Sequence, residues 1–84
     1  MVVVVVHGAS AQDPNVIIDG RVLWLAGEAM VVAPFVSGVF PVKIDLSQAD
    51  QDEYMRLTAG DPVTVIGTIG PEGDRVMARS IRRR

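Results

Sequence analysis

The chain predicts an all-β fold, a small β-barrel carrying one short helix. Three observations lead there. Valine and isoleucine outnumber leucine among its aliphatic residues, which favours strands over helices. Gly/Pro-containing clusters break the apolar runs at short intervals, at Gly27-Glu28, Val36-Ser37-Gly38, Gly60-Asp61-Pro62 and Gly70-Pro71-Glu72-Gly73-Asp74. A single polar stretch, Ser47–Ala59, has the punctuation of a helix.

The elements follow in order. Asn15–Ala26 reads as a long first barrel strand, with Val16, Ile18, Gly20, Val22 and Trp24 on one face and Asp19 and Arg21 marking the other as outward. Gly20 in mid-strand predicts a bulge or sharp coil, after which the inward parity of Trp24 is open between core and surface. Ala29–Phe35 is the second strand and Val39–Leu46 the third, with Phe40, Val42, Ile44 and Leu46 inward and Pro41, Lys43 and Asp45 outward. Ser47–Ala59 is the expected helix: Ser47 at the N-cap, Asp50 three residues on, acids in the first turns and Gly60 at the position of a C-terminal glycine. Its apolar residues Ala49, Tyr54, Met55 and Leu57, with Leu46, suffice to plug one end of a barrel. Val63–Ile69 and Arg75–Ile81 form the closing hairpin, in which Gly67 permits a tight coil and Ala78 is small because the interior is crowded.

Three strands, a helix between strands three and four, and a closing hairpin is the element order of the OB-fold, a five-stranded partly open barrel. The stretch from Leu57 to Ile69, with Gly60-Asp61 and then Val63-x-Val65-x-Gly67-x-Ile69, resembles the helix-to-strand-four junction of that fold. Gly73-x-x-Val76-x-Ala78-x-x-Ile81 resembles its closing strand. Val16–Arg82 as a whole is similar to small exported bacterial OB-like domains of unknown function. These motifs specify turns and core positions, so the resemblance implies a fold and carries over no functional residue.

The N-terminus has two readings. Val2–Val6 followed by Ala9-Ser10-Ala11 resembles the end of a signal peptide with a small-x-small cleavage site before Gln12, which implies a periplasmic or secreted protein. Alternatively Met1–Val6 contains a genuine extra strand, and the protein is cytoplasmic. The domain organisation expected is therefore residues 1–11 as signal remnant or added strand, 15–82 as the barrel and 83–84 as a basic tail. The apolar run is too short to span a bilayer.

Composition narrows the chemistry. Without cysteine there is no disulfide framework and no thiolate metal site, and His7 is the single histidine. No nucleophile-elbow serine and no phosphate-binding Gly-x-x-x-x-Gly-Lys occurs, so no catalytic residue, metal site or cofactor is expected and the chain reads as a non-enzyme. The net charge of −2 hides an asymmetry: through Asp74 three bases face ten acids, leaving −7, whereas Arg75, Arg79, Arg82, Arg83 and Arg84 follow. An acidic body argues against extended phosphate-backbone binding. The expected function is a non-enzymatic binding or interaction module of the bacterial cell envelope, meeting a protein, a peptide or a small ligand. The alternative is single-stranded nucleic-acid binding on the face of the first three barrel strands. Either use places the site at Arg21, Trp24, Phe35 and Lys43, two aromatics and the only two cations near that face.

Overall fold

The computed structural model describes residues 5–7 and 15–84. Six strands and one helical turn follow one another: β1 (Val5–His7), β2 (Asn15–Ala26), β3 (Ala29–Pro34), β4 (Val42–Asp45), α1 (Gln51–Tyr54), β5 (Pro62–Ile69) and β6 (Val76–Arg83). The sheet order is β1-β2-β3-β4-β6-β5, and β5 pairs back onto β2. Five strands, β2 to β6, thus close into a ring, as the all-β reading expects. All pairings are antiparallel except β4 with β6, which run parallel through Ile44 opposite Val76 and Asp45 opposite Met77.

β2 is the strand that makes closure possible. Its first half, Val16–Arg21, pairs with β5, and its second half, Gly20–Ala26, pairs with β3. The crossover point is Gly20, where a Cβ would strike the Ala33 carbonyl oxygen and lie 2.6 Å from Val32 Cγ1. Glycine is present because the β3 backbone occupies the space of a side chain. The bulge expected at Gly20 lies instead between Val22 and Trp24, around Leu23. It ends the inward alternation after Val22, and Trp24 is left half-exposed. Gly67 plays the equivalent part in β5: its Cβ would meet the Met77 carbonyl, beside a second bulge between Ile66 and Gly67.

The ring is filled by Val16, Ile18, Val22, Met30, Val32, Val42, Ile44, Leu46, Val63, Val65, Val76, Ala78 and Ile81, all buried. Tyr54 and Leu57 plug one end, with Ala49 against them. No polar or charged side chain is buried among the described residues.

Several expectations are corrected. The helix lies where it was placed but is one turn, Gln51–Tyr54, rather than Ser47–Ala59. Its N-cap is Asp50, whose carboxylate accepts from the Asp52 amide at 3.0 Å. Ser47 is drawn off to Asp45, to which its amide (2.9 Å) and hydroxyl (2.6 Å) donate, so it begins a turn instead. Met55 is exposed and does not join the plug. Gly60, with φ +98°, ends the turn into β5, where its amide donates to Val22 O at 2.7 Å. Phe40 is not core: it is 68% exposed, because β4 starts only at Val42, beyond Pro41, and the strand alternation does not reach back to it.

At the N-terminus, Val5–His7 pair antiparallel with Asn15–Ile17 outside the ring. Met1–Val4 and the Ala9-Ser10-Ala11 junction lie outside the described residues. At the other end, Arg82 and Arg83 are strand residues opposite Thr64 and Val63, and the Arg84 amide donates to Pro62 O at 2.9 Å.

Candidate functional site

The outer face of β3 and β4 carries a cleft. Strand register puts Trp24 beside Val31 and Val31 beside Lys43, so an indole, an aliphatic side chain and an ammonium stand in one row across three strands. The next row places Ala29 beside Asp45. The tight β2–β3 turn at Gly27-Glu28, with Gly27 at φ +59°, closes one end. The β5–β6 turn closes the other and delivers Arg75; it is pinned by Gly70 N to Arg75 O (2.8 Å) and Gly73 N to Gly70 O (2.9 Å). The pocket so formed has a volume of about 330 Å³ and is lined by Trp24, Glu28, Val31, Lys43, Asp45 and Arg75 among others.

Its charges alternate in sign: Glu28 and Asp45 against Lys43 and Arg75. Asp45 is the anchor. One carboxylate oxygen accepts from the Ser47 hydroxyl and amide, and the other meets Arg75 Nε at 3.3 Å. The Ser47 hydroxyl bond and then the Ser47 amide hold its carboxyl below the ordinary aspartate value, against an opposing effect of burial, with Arg75 adding a lesser lowering. Arg75 is steadied further by Asp74 at 3.2 Å. Such a carboxylate stays ionised at neutral pH and has its lone pairs engaged, so it is a poor general acid or base. No group of three or more metal-ligating side chains exists among the described residues.

The four residues singled out from the sequence fall into two places. Trp24 and Lys43 line the cleft. Arg21 and Phe35 come together elsewhere: the Arg21 guanidinium sits 5.6 Å from the Phe35 ring centre while donating to Gly60 O at 2.8 Å, and Arg84 lies over the same ring at 5.9 Å. Sequence reasoning missed Glu28, Asp45 and Arg75 as cleft residues. Arg75 and Asp45 are thirty positions apart and meet only through the parallel β4–β6 pairing, for which a sequence has no local signal. Glu28 was legible as a turn residue but not as a rim.

Comparisons with protein-family models, with curated proteins and with solved structures return no match for this chain.

Proposed function

We propose that the protein is a non-enzymatic binding module of the bacterial cell envelope, built on an OB-fold-like ring, which takes an extended peptide or small polar ligand in the Trp24–Arg75 cleft. The observation that carries this reading is the half-exposed indole of Trp24 on a floor flanked by fixed charges of both signs. An aromatic platform gives contact area at little entropic cost, and paired charges orient a ligand that bears both signs. The ring order, with its one parallel pairing and its helical turn before β5, supports the OB-like assignment. The engagement of Asp45 by Ser47 and Arg75 supports a binding role over a catalytic one.

Trp24 is the chain's only tryptophan, so its fluorescence reports on the cleft directly. Short extended peptides with one acidic and one basic side chain are expected to shift its emission saturably, and Lys43→Gln with Arg75→Gln to weaken that binding roughly tenfold or more. Emission indifferent to every such peptide would overturn the cleft assignment. Localisation has its own test. N-terminal sequencing of protein from the native cell is expected to find Gln12 first, and an intact Met1 would return the protein to the cytoplasm.

Single-stranded nucleic acid is the second reading, favoured by Trp24 standing beside Lys43 and Arg75. Glu28 and Asp45 in the same cleft oppose it by repelling phosphates. Salt-dependent retention of a single-stranded oligonucleotide, lost in Trp24→Ala, would favour it; no retention at low salt removes it.

A further inference from the structure

A second surface stands apart from the cleft. From Ala29 to Val42 the chain has no charged residue, and the connection between β3 and β4 holds its apolar side chains out to solvent. Phe35 is 48%, Val36 54% and Phe40 68% exposed. Elsewhere exposed apolar side chains are scattered, but here two aromatics and a valine fall within one short connection, the clustering that marks an interaction surface.

What borders this connection is arginine. On the outward face of β2, β5 and β6, register gives two adjacent rows: Asp19–Thr64–Arg82, and Arg21 beside Pro62, whose carbonyl accepts from the Arg84 amide. Phe35 hangs from the same place, since its amide donates to Asp19 O at 3.0 Å. Arg21, Arg82, Arg83 and Arg84 therefore gather at one end of the molecule with Asp19, Asp61 and Glu53, the last accepting from the Ile81 amide at 3.1 Å; four guanidiniums against three carboxylates leave a local charge of +1 in a protein whose total is −2. The ion pairs there are long: Arg83 to Asp61 and Arg84 to Asp19 are both 3.7 Å contacts with largely exposed guanidiniums, while the acids themselves are held by the Thr64 hydroxyl on Asp19 at 2.5 Å and the Thr58 amide on Asp61 at 3.0 Å. Arg82 makes no ion pair among the described residues. Loose, exposed pairs of this kind contribute little and exchange readily for another anion.

We propose that this end of the barrel docks onto an anionic lipid surface, with Phe35, Val36 and Phe40 entering the headgroup region and Arg21, Arg82 and Arg84 meeting lipid phosphates. The combination fits a bilayer interface better than it fits a protein groove. Aromatic rings settle at the headgroup level, guanidiniums bind phosphate, and a flexible lipid surface accommodates a convex loop tip with no complementary cavity. The occupant is chosen by charge: guanidiniums stacked on the Phe35 ring at the start of an exposed apolar connection are complementary to a negative surface with an apolar interior. This attachment lies on the surface and involves no spanning segment. Trp24 and the cleft take no part in it, so the two proposals fail independently.

The test is flotation of the full chain with vesicles. Vesicles of phosphatidylethanolamine with phosphatidylglycerol are expected to carry the protein and phosphatidylcholine vesicles to leave it behind, with binding falling as salt rises. Replacing Arg82→Gln and Arg84→Gln together is expected to weaken binding on the order of 25-fold, about fivefold for each guanidinium. Phe40→Ser removes only an exposed ring, so the fold survives by far-UV circular dichroism while binding drops roughly tenfold. The proposal is overturned if anionic vesicles do not bind at low salt, or if both variants float as well as the parent chain. It is also overturned if the parent chain self-associates through Phe40 in sedimentation without binding vesicles, which would assign the surface to a second copy.

Discussion

At the scale of single residues, two absent side chains and one carboxylate set the terms. Gly20 and Gly67 sit where a Cβ would occupy the carbonyl of a neighbouring strand. Alanine at either position is therefore expected to destabilise by about 2–3 kcal/mol through forced strand separation, measured as a lower urea midpoint at unchanged slope. At Gly27 and Gly73 a Cβ meets nothing, and only the positive φ penalises substitution, so the cost there is about 1 kcal/mol. Asp45 gives the molecule a pH signature. Its folded carboxyl is depressed below the unfolded value, so its contribution is complete above the unfolded pKa and is lost as pH falls through the folded one. Ser47→Ala is expected to cost about 1 kcal/mol at neutral pH, and the difference from the parent shrinks in acid once Asp45 is protonated. Urea titrations at pH 7 and near pH 2 check this; a pH-independent difference would mean that the hydroxyl acts by packing alone.

Among the elements, α1 and β2 make opposite points about what a sequence reveals. β2 was readable to the residue, because Val16, Ile18 and Val22 alternate with Asp19 and Arg21 and turn residues bound both ends. The helix is shorter than its punctuation suggests, because Ser47, Asp50 and Gly60 are good capping residues whichever turn they serve, and the carboxylate of Asp45, two residues upstream, holds Ser47 in a local turn instead. Phe40 was misplaced by extending the Val42–Leu46 alternation across Pro41. The cleft is half legible: Lys43 is a cation on an outward position and Trp24 an aromatic whose parity the sequence leaves open, whereas Arg75 needs the parallel β4–β6 pairing to arrive. For α1, Asp50→Ala is expected to cost about 1 kcal/mol through the lost cap, and Leu57→Ala about 2–4 kcal/mol because it opens the plug. Equilibrium unfolding of the two variants should preserve that order. β1 lies outside the ring and pairs with β2 alone, so a chain beginning at Gln12 is expected to keep a cooperative transition and its β-type circular dichroism.

Over the whole molecule, closure of β2 onto both β3 and β5 ties every ring strand to two neighbours, so no part of the ring can leave without breaking two ladders. Unfolding is expected to be a single transition, with circular dichroism and Trp24 fluorescence tracing coincident curves. The amides of β2 and β5 should be the last to exchange. Charge is unevenly placed on the same scale: four arginines, Arg21 and Arg82–Arg84, gather near the end of β6, and of the α1 acids Glu53 reaches that strand, where it accepts from the Ile81 amide. The ring has a further property. In a band joined to itself, the place where the polypeptide begins is an accident of gene order and has no physical privilege. The backbone could be cut at Ser37-Gly38, where Gly38 is exposed and nothing crowds it, and Asn15 joined to Arg84 by a linker running along β2. The rewired chain would meet the same neighbours in the same register.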